Sequence, residues 1–543
     1  MGNYLKERYE RFEVEEELNN EIQELKSEIK QLKKQNAHFK SSKPYKLWKL
    51  YANINDDITD EIDSQIPNLK DIKVALISDQ FTYDSFKYEF KAISLHPKTW
   101  KRQFIKEKPD IFFCESTWYG HDYKGNKGPW ENKIGKLKGS DNENRTILFE
   151  ILEYCRRHSI PTVFWNKEDP THYHEDYLSF PDTAKEFDYI FTSAKECIEW
   201  YKKDFNHENV NFLMFAGQPK LFNPLRFNDE EIDEIVFAGT YYDNNPERTK
   251  LMDDIFDRLI ENSQELLIYD RCFDLPNNDY PERFQKYVNP SLLFIQIPSV
   301  YKKMKWGLNF NIVTDSETMF ARRIYELALS NVNILTNYSK AVEILFGDNV
   351  FVFDRDEELP DFNEDYEEKR MNNLYNVLEN HTYTIRWKQI LDTIGFEYVE
   401  DEKDITVIFK LDDLDELDSI IDKFGQISYD DKVLKIIAGK DIDTTQIIDK
   451  YPVIDSVYAD GDMKSVKKDI DTEYWIIADC DMEPDFIKKA ILHYQYLNKK
   501  VAIAEGSDKF SLDVCRSVEN KIIHRCNANY LTKNEAEIEV YYI

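Results

Sequence analysis

The sequence predicts an α/β protein in which helices cover parallel β-sheets. Short apolar runs such as VALISD (74–79) alternate along the chain with helical patterns such as ILFEILEYCRRH (147–158). This alternation is typical of parallel strands that are joined by helices. The alternation begins near residue 71 and starts again near residues 235 and 405. A chain of this length suffices for about three globular domains.

Composition and charge exclude several classes of protein. The chain has 103 acidic and 71 basic side chains and a formal net charge of −32, whereas nonspecific binding to a phosphate backbone needs a basic surface. We therefore expect no nucleic-acid partner. The sequence has no long apolar run, no secretory signal and no C-x-x-C pair among its seven cysteines. These features predict a cytoplasmic protein with reduced thiols.

Residues 1–40 are predicted to form a coiled-coil oligomerisation arm. A heptad repeat over residues 14–39 places β-branched residues at a and leucines at d, namely Ile22 and Ile29 at a, and Leu18, Leu25 and Leu32 at d. That combination favours two parallel strands, and Asn36 at a further a position would fix their register. The pattern predicts a homodimer through residues 14–39, and a solvated single helix is the alternative.

A basic, aromatic connector is predicted over residues 41–70. Within KSSKPYKLWKLYANI (40–54), lysines alternate with aromatic and aliphatic side chains. Such a segment can lie on an anionic lipid surface, which would place the protein peripherally at the inner face of the cell membrane. It can equally pack as a connector helix against the domain that follows, and both interpretations stay open.

Two tandem α/β domains are predicted at residues 71–217 and 218–398. The expected strands of the first are 74–79, 109–116, 160–166, 188–193 and 210–216. Those of the second are 235–240, 265–270, 307–313, 333–337 and 351–354, and a helical return runs to residue 398. Two Rossmann-like halves in series place a cleft between them.

Ligands of open α/β sheets bind beyond the carboxyl ends of the strands, and this rule selects the candidate site residues. In the first domain it selects Asp79, residues 115–117, residues 166–170 and Ser193. In the second domain it selects Gly239, Thr240, residues 314–316 and Asn337. The sequence contains neither G-x-G-x-x-G nor a P-loop motif, so neither an NAD site nor a P-loop is predicted.

Two segments of the second domain favour a nucleotide diphosphate. In residues 237–250, Gly239 lets the backbone approach a ligand, and Arg248 at the following helix start could pair with phosphate. In residues 307–330, Arg322 and Arg323 precede Glu326 on a predicted helix. Arginine offers a fork for pyrophosphate, and a carboxylate can accept both ribose hydroxyls. An ordinary βα turn and a surface salt bridge are the alternatives.

Four segments resemble the CgeB-like spore-maturation glycosyltransferases, namely residues 165–193, 215–224, 237–248 and 311–330. These are bacterial GT-B enzymes that also occur among teichoic-acid and capsule gene products. The resemblance covers residues 72–380 and implies a GT-B fold, with a nucleotide-sugar donor site in the second domain and acceptor contacts in the first. It also implies no metal for donor binding, so no cofactor is expected beside the UDP-sugar substrate.

The resemblance further implies roles for individual donor-site residues. Glu326 matches the second glutamate of the E-x7-E signature of related retaining enzymes, whereas Thr318 stands where the first would be. Arg322 or Arg323 resembles a diphosphate clamp that neutralises charge on the leaving UDP. The other donor-site candidates are Gly239, Thr240, Arg248, Asn309 and Thr314. Because the first glutamate is absent, retention and inversion of configuration both stay open.

The acceptor base is expected in the segment WNKEDPTH, which follows a predicted strand. An inverting transfer needs one carboxylate or imidazole within hydrogen-bond reach of the acceptor hydroxyl. Asp169 is the first choice, and Glu168 and His172 are the other candidates. A cluster of capping and loop residues that shapes the cleft is the alternative.

Residues 399–543 resemble a shortened GT-A domain. Asp479 and Asp481 follow the predicted strand WIIA, and two carboxylates at this spacing can share one divalent ion. Pairs of this kind are frequent by chance in so acidic a chain. An accessory role is therefore favoured over a second active site, and a metal is expected only if this domain is active.

The sequence as a whole predicts a hexosyl- or N-acetylhexosaminyltransferase. It would move sugar from a UDP-sugar to a hydroxyl of a cell-surface polymer intermediate. The acceptor class, a glycan or polyol-phosphate polymer of teichoic-acid or capsule type, is implied by the resemblance alone. A UDP-sugar epimerase of the GT-B type and a non-catalytic coiled-coil scaffold with relic sugar-nucleotide sites are the alternatives.

Overall fold

The computed structural model describes residues 66–543, with gaps at 122–127, 140–141, 176, 227–230, 242–245, 274–279, 357, 445–446, 449–450, 461, 508 and 533–536. The predicted coiled-coil arm, the dimer contact through residues 14–39 and the membrane contact through residues 40–54 lie outside the described residues. Within the described ranges, no helix combines the length and the apolar character needed to cross a membrane.

The first domain contains a six-stranded parallel sheet. In chain order its strands are β1 (Lys73–Ile77), β2 (Lys91–Ser94), β3 (Ile111–Glu115), β4 (Lys136–Leu137), β5 (Thr162–Asn166), β6 (Leu178–Ser179), β7 (Tyr189–Thr192) and β8 (Val210–Phe212). Its helices are α1 (Gln80–Phe86), α2 (Trp100–Glu107), α3 (Thr146–Arg157), α4 (Pro181–Ala184) and α5 (Cys197–Phe205). The sheet order is β2-β1-β3-β5-β7-β8, and β4 pairs with β6 separately. Every residue of β3 and β5 is buried, as expected for central strands with helices on both faces.

The second domain contains another six-stranded parallel sheet. Its strands are β9 (Ile232–Ala238), β10 (Leu266–Tyr269), β11 (Val288–Asn289), β12 (Met304–Asn309), β13 (Asn333–Thr336) and β14 (Phe351–Val352). Its helices are α6 (Pro246–Glu261), α7 (Ile297–Tyr301), α8 (Arg323–Leu329), α9 (Lys340–Phe346) and α10 (Glu367–Asn380). The sheet order is β11-β10-β9-β12-β13-β14, which is the Rossmann order when strands are counted from β9. The predicted α/β class with parallel sheets is therefore confirmed, and the first sheet differs from the Rossmann order in that β3 lies beside β1 and not beside β2.

The helical return crosses from the second domain to the first. Helix α11 (Tyr383–Ile394) packs on the first sheet, with the Trp387 and Phe90 ring centroids 4.6 Å apart and those of Tyr383 and Phe86 4.7 Å apart. The apolar side chains of α11 recur at helical spacing and need a cover. This spacing predicts a helix, but it does not say which sheet the helix covers. Helix α11 therefore packs on the first domain, although residues 218–398 were predicted to belong to the second.

The third domain is also α/β. Its strands are β15 (Ile405–Leu411), β16 (Lys432–Ala438), β17 (Ile454–Ala459), β18 (Tyr474–Ile477), β19 (Ala502–Ala504), β20 (Leu512–Cys515), β21 (Ile523–His524) and β22 (Ile538–Tyr542). Its helices are α12 (Leu417–Gln426), α13 (Met463–Lys468) and α14 (Phe486–His493). One sheet has the order β17-β16-β15-β18-β21, with β21 antiparallel, and a second has the order β19-β22-β20. A third α/β domain is thus present, whereas its likeness to a GT-A domain stays a prediction.

The second and third domains share one hydrophobic core. Helix α10 packs on α14, where the Tyr375 hydroxyl lies 3.1 Å from Nε2 of His493, and Gln495 Nε2 donates to the Leu378 carbonyl at 2.8 Å. Buried residues from both domains belong to the same apolar cluster. Burial lowers the pKa of His493 to about 3, so this imidazole stays neutral in the shared core.

Candidate functional site at the seam of two sheets

The carboxyl ends of the first two sheets meet at a polar seam. Arg322, which immediately precedes α8 in the second domain, lies over the ring of Phe81 in α1 of the first, with its Cζ 4.3 Å from the ring centroid. The Thr318 hydroxyl accepts from the backbone N–H of Lys195 at 2.9 Å and donates to the carbonyl of Ser193 at 3.0 Å. Of these residues, the strand-end rule selected only Ser193, and Thr318 and Arg322 come from the segment that follows the selected residues 314–316.

Arg322 and Glu326 form the ion pair that their spacing predicts. Arg322 Nη1 donates to Glu326 Oε1, and the guanidinium also lies 4.9 Å from the ring centroid of Phe294. The Arg322 side chain keeps 30% of its exposure, whereas that of Glu326 keeps only 7%. Because the Arg322 side chain is not fully enclosed, it can still donate to an anionic ligand at the seam.

Arg323 has a different role from the predicted clamp. Its Nη2 and Nε donate to the carbonyl oxygen of Ala238 at 2.6 and 3.1 Å, at the end of β9. Gly239 makes this approach possible, since a Cβ there would lie 2.5 Å from the Phe237 ring and 3.0 Å from Arg323 Nη2. Arg323 therefore holds the end of β9 in place, and Arg322 is the arginine that faces the seam.

Arg248, in the first turn of α6, binds the backbone of the segment that precedes its helix. It is buried, and its Nη1 donates to the carbonyl oxygen of Thr240 at 2.9 Å. The Thr240 hydroxyl in turn lies 3.5 Å from Cys272 Sγ, and Tyr280 donates to the Gly239 carbonyl at 3.0 Å. These contacts hold Gly239 and Thr240 directly after β9, so Arg248 supports the described start of the expected phosphate-binding segment.

Asn309 belongs to a buried amide network that the sequence did not indicate. Its Nδ2 donates to Asn311 Oδ1 at 3.0 Å and to the Thr336 hydroxyl at 3.1 Å. Asn337 joins the network, because its Oδ1 accepts from the backbone N–H of Asn311 at 2.7 Å. Thr314, another predicted donor-site residue, contributes its carbonyl to the N–H of Lys340 at 2.8 Å. These residues set the path of the loop between β12 and α8, which carries Arg322.

A buried charge cluster occupies the carboxyl edge of the first sheet. Lys167 Nζ lies 2.7 Å from Asp79 Oδ2 and 3.2 Å from Glu115 Oε1, and Glu115 has no solvent exposure. Burial raises the pKa of Glu115 to about 7, against the opposing effect of the Lys167 charge. Burial also acts to raise the pKa of Asp79, but the Lys167 charge and hydrogen bonds outweigh it and leave that pKa below its usual value. The strand-end rule selected all three positions.

Glu168 and His172 lie beside this cluster and are partly open. Glu168 Oε2 is 3.8 Å from His172 Nε2, and His172 Nδ1 is 2.6 Å from Glu175 Oε1. The side chain of Glu168 keeps 21% of its exposure, and burial raises its pKa. The Trp118 ring packs edge-on against His172 with centroids 5.7 Å apart. The two predicted base candidates therefore stand next to each other at an accessible edge.

Asp169 is enclosed by the fold. It has no exposure and accepts from Asn166 Nδ2 at 2.7 Å, from the Thr192 hydroxyl at 2.6 Å and from the Tyr201 hydroxyl at 3.1 Å. Burial raises the pKa of Asp169 to about 7. An acceptor hydroxyl could not reach this carboxylate without displacing one of those three donors. The geometry therefore disfavours the first-choice base and leaves Glu168 in reach of a ligand.

The third domain carries its own strand-end residues. Asp479 and Asp481 are exposed after β18, and Asn520 Nδ2 lies 3.4 Å from Asp479 Oδ2. A cavity of about 330 Å³ lies at the ends of β15, β16 and β17, lined by Lys410, Asp412, Gly439, Lys440, Asp441 and Asp460. Over the described ranges, no group of three or more histidine, cysteine or acidic side chains is placed to hold a metal ion. A metal at this domain stays a prediction.

Comparison with known protein families gives a match for the second domain. Residues 230–392 match the family model described as glycosyl transferase-like. The matched segment runs from β9 through α11 and includes Arg322 and Glu326. A search among curated proteins finds no match.

Several solved structures align with part of the chain. S. aureus TarM aligns with a TM-score of 0.34 and 11% identity over 52% of this chain and 54% of TarM, so the alignment spans about half of that protein. HepE from Anabaena, in complex with UDP-glucose, aligns with a TM-score of 0.35 and 10% identity over 58% of this chain and 88% of its own. An α-glucosyltransferase in complex with UDP-glucose and DNA has a TM-score of 0.40 and 11% identity over 57% and 86%. Similarity at this level does not bear on substrate.

Proposed function

We propose that the protein is a glycosyltransferase of the GT-B type that moves sugar from a UDP-sugar to a hydroxyl of a cell-surface polymer intermediate. The match of residues 230–392 to a glycosyl transferase-like family model supports the class of reaction. The observation that carries the proposal is the Arg322–Glu326 pair, which stands at the seam of two Rossmann-like sheets. A carboxylate and an open guanidinium at such an edge suit the ribose and the diphosphate of a nucleotide.

The reaction breaks one bond and forms another. The bond between the anomeric carbon and the UDP oxygen breaks, and a bond forms between that carbon and the acceptor oxygen. Arg322 stabilises the charge that grows on the leaving diphosphate, and Glu326 holds the ribose. In an inverting transfer, Glu168 takes the acceptor proton, because its partly exposed carboxylate has a raised pKa and stands beside His172.

The remaining parts of the proposal follow the family resemblance. The donated sugar is a hexose or an N-acetylhexosamine, the donor needs no metal, and the acceptor is a glycan or polyol-phosphate polymer of teichoic-acid or capsule type. The first domain holds the acceptor, and the third domain has an accessory role. The enzyme works in the cytoplasm, at the inner face of the membrane when residues 40–54 bind lipid.

A screen of nucleotide sugars by thermal shift tests the donor site. UDP, UDP-glucose and UDP-N-acetylglucosamine are added to the full chain, and a ligand at about 100 times its Kd should stabilise the folded state by about 2.7 kcal/mol. We expect Glu326→Gln to abolish the shift. The matched control is Glu343→Gln, which changes an exposed glutamate that also pairs with an arginine, at 3.7 Å from Arg355 in the same domain.

Three other outcomes would indicate a different donor site or a different function. If Asp479→Asn abolishes the shift and Glu326→Gln does not, the donor site lies in the third domain and the proposal is wrong. UDP binding without transfer to any acceptor would support the scaffold alternative. Conversion of the UDP-sugar without an acceptor would support the epimerase alternative.

A further inference from the structure

Phe81 of the first domain is in contact with two cations at the seam. Its ring centroid lies 4.2 Å from Lys167 Nζ of the same domain and 4.3 Å from Arg322 Cζ of the second domain. Cations over an aromatic face are attracted by its quadrupole, most strongly when they are shielded from water. The ring therefore joins the buried charge cluster of the first domain to the arginine of the second.

The guanidinium of Arg322 is held from three directions. Glu326 accepts from Nη1, and the rings of Phe81 and Phe294 lie 4.3 and 4.9 Å from Cζ, while 30% of the side chain stays exposed. Phe81 and Phe294 also touch each other edge-on, with centroids 6.4 Å apart. Glu326 and Phe294 belong to the second domain, so Phe81 is the one member of this cage that the first domain supplies.

We propose that Phe81 is a positioning residue of the donor site. It orients Arg322 so that a diphosphate bound by the second domain meets a guanidinium that is already in place. This role rests on the proposed function, because it takes Arg322 as the diphosphate ligand. It also gives the first domain a direct part in donor binding, in addition to its acceptor contacts.

The position of Phe81 in the fold separates this role from a packing role. Helix α1 is anchored in the core by Phe86, which has no exposure and packs on Phe113 and Trp165. Phe81 is only partly buried and lies at the first turn of α1, two residues after Asp79. Removal of its ring should therefore leave the first domain folded.

The test measures UDP affinity by isothermal titration calorimetry with the full chain. We expect Phe81→Leu, which keeps the bulk and removes the ring, to weaken UDP binding by about 3- to 30-fold, the range of a partly buried cation–π contact. Phe81→Tyr keeps the ring and should bind UDP within about 2-fold of the wild type. The matched control is Phe149→Leu, which removes a ring from beneath Arg145 at 4.6 Å, a cation–π pair elsewhere in the first domain.

A double-mutant cycle distinguishes positioning from a general loss of structure. In an Arg322→Met background, Phe81→Leu should have no further effect on UDP affinity, because the group it orients is gone. Additive losses in the cycle, or equal UDP affinity of Phe81→Leu and the wild type, would overturn the inference. If the wild type itself binds no UDP, the proposed function fails instead, so the two failures are distinguishable.

Discussion

Replacing Asp169 by asparagine tests whether this residue is the catalytic base or an enclosed carboxyl group with a structural role. Burial raises the pKa of Asp169 from 3.8 to about 7 in the folded protein. Between those two values the unfolded chain releases the proton and the folded chain keeps it. The stability that protonated Asp169 contributes is therefore fully present below pH 3.8 and is lost as the pH rises through about 7. This rise of about 3 in the pKa of Asp169 corresponds to about 4 kcal/mol of unfolding free energy.

Asp169→Asn removes this titration while keeping the shape of the side chain. We expect the melting temperature of the variant, relative to the wild type, to rise from pH 4 to about pH 7 and to level off at higher pH. The measurement is a series of thermal melts at constant ionic strength. A difference in melting temperature that does not change with pH would refute the assignment of a raised pKa to Asp169.

The neighbouring Glu168→Gln variant serves as the comparison for activity. If Glu168 is the base of an inverting transfer, Glu168→Gln should lower kcat by about 10²- to 10⁴-fold. Asp169→Asn should keep most of the transfer activity, since no ligand reaches its enclosed carboxylate. The opposite result, with Asp169→Asn inactive but folded, would restore Asp169 as the base.

Two further changes test the seam and the charge cluster. Thr318→Val removes the hydroxyl that joins Ser193 and Lys195 across the seam. We expect KM for the UDP-sugar to rise about 3- to 10-fold in steady-state kinetics and to recover in Thr318→Ser. An unchanged KM would contradict this prediction. Lys167→Met leaves Asp79 and Glu115 buried without their cation, and denaturant unfolding should show a loss of about 3–5 kcal/mol at pH 8. The loss of unfolding free energy should be smaller at pH 5, where Glu115 is protonated. The control is Lys185→Met, which changes a surface lysine 3.4 Å from Asp182. Equal losses at both pH values would count against the charge cluster.

Local sequence rules predicted the framework of the site. The alternation of apolar runs and helical patterns predicts the central strands of both sheets, such as β3 and β5, which are buried on two faces. It did not predict the edge strands β2 and β11, which are only partly buried. The strand-end rule places Asp79, Glu115 and Lys167 at one edge, where they form the charge cluster. Helical spacing predicts the Arg322–Glu326 pair, because residues four apart share a helix face.

The rules fail where the partner of a side chain lies far along the chain. Arg323 was a candidate diphosphate clamp, but it binds the carbonyl of Ala238, which is 85 residues away. Phe81 had no signal in the sequence, because its contact with Arg322 exists only when two domains meet. Asp169 stands in the predicted strand-end segment, yet whether it is open or enclosed depends on Thr192 and Tyr201, which come from other elements.

The cage around Arg322 depends on how the domains pack together. The second and third domains share one hydrophobic core, and the first two domains are joined by apolar as well as polar contacts, because Met214 belongs to that core and α11 packs on the first sheet. At the seam itself, the Thr318 hydroxyl bonds to Ser193 and Lys195, and Phe81 contacts Arg322 and Phe294. The chain crosses between the first two domains near Gly217 and Thr382, which pair by a single β-bridge. A separation of the two domains at that point would part Arg322 from Phe81, so the cage around Arg322 exists only while the first two domains are in contact.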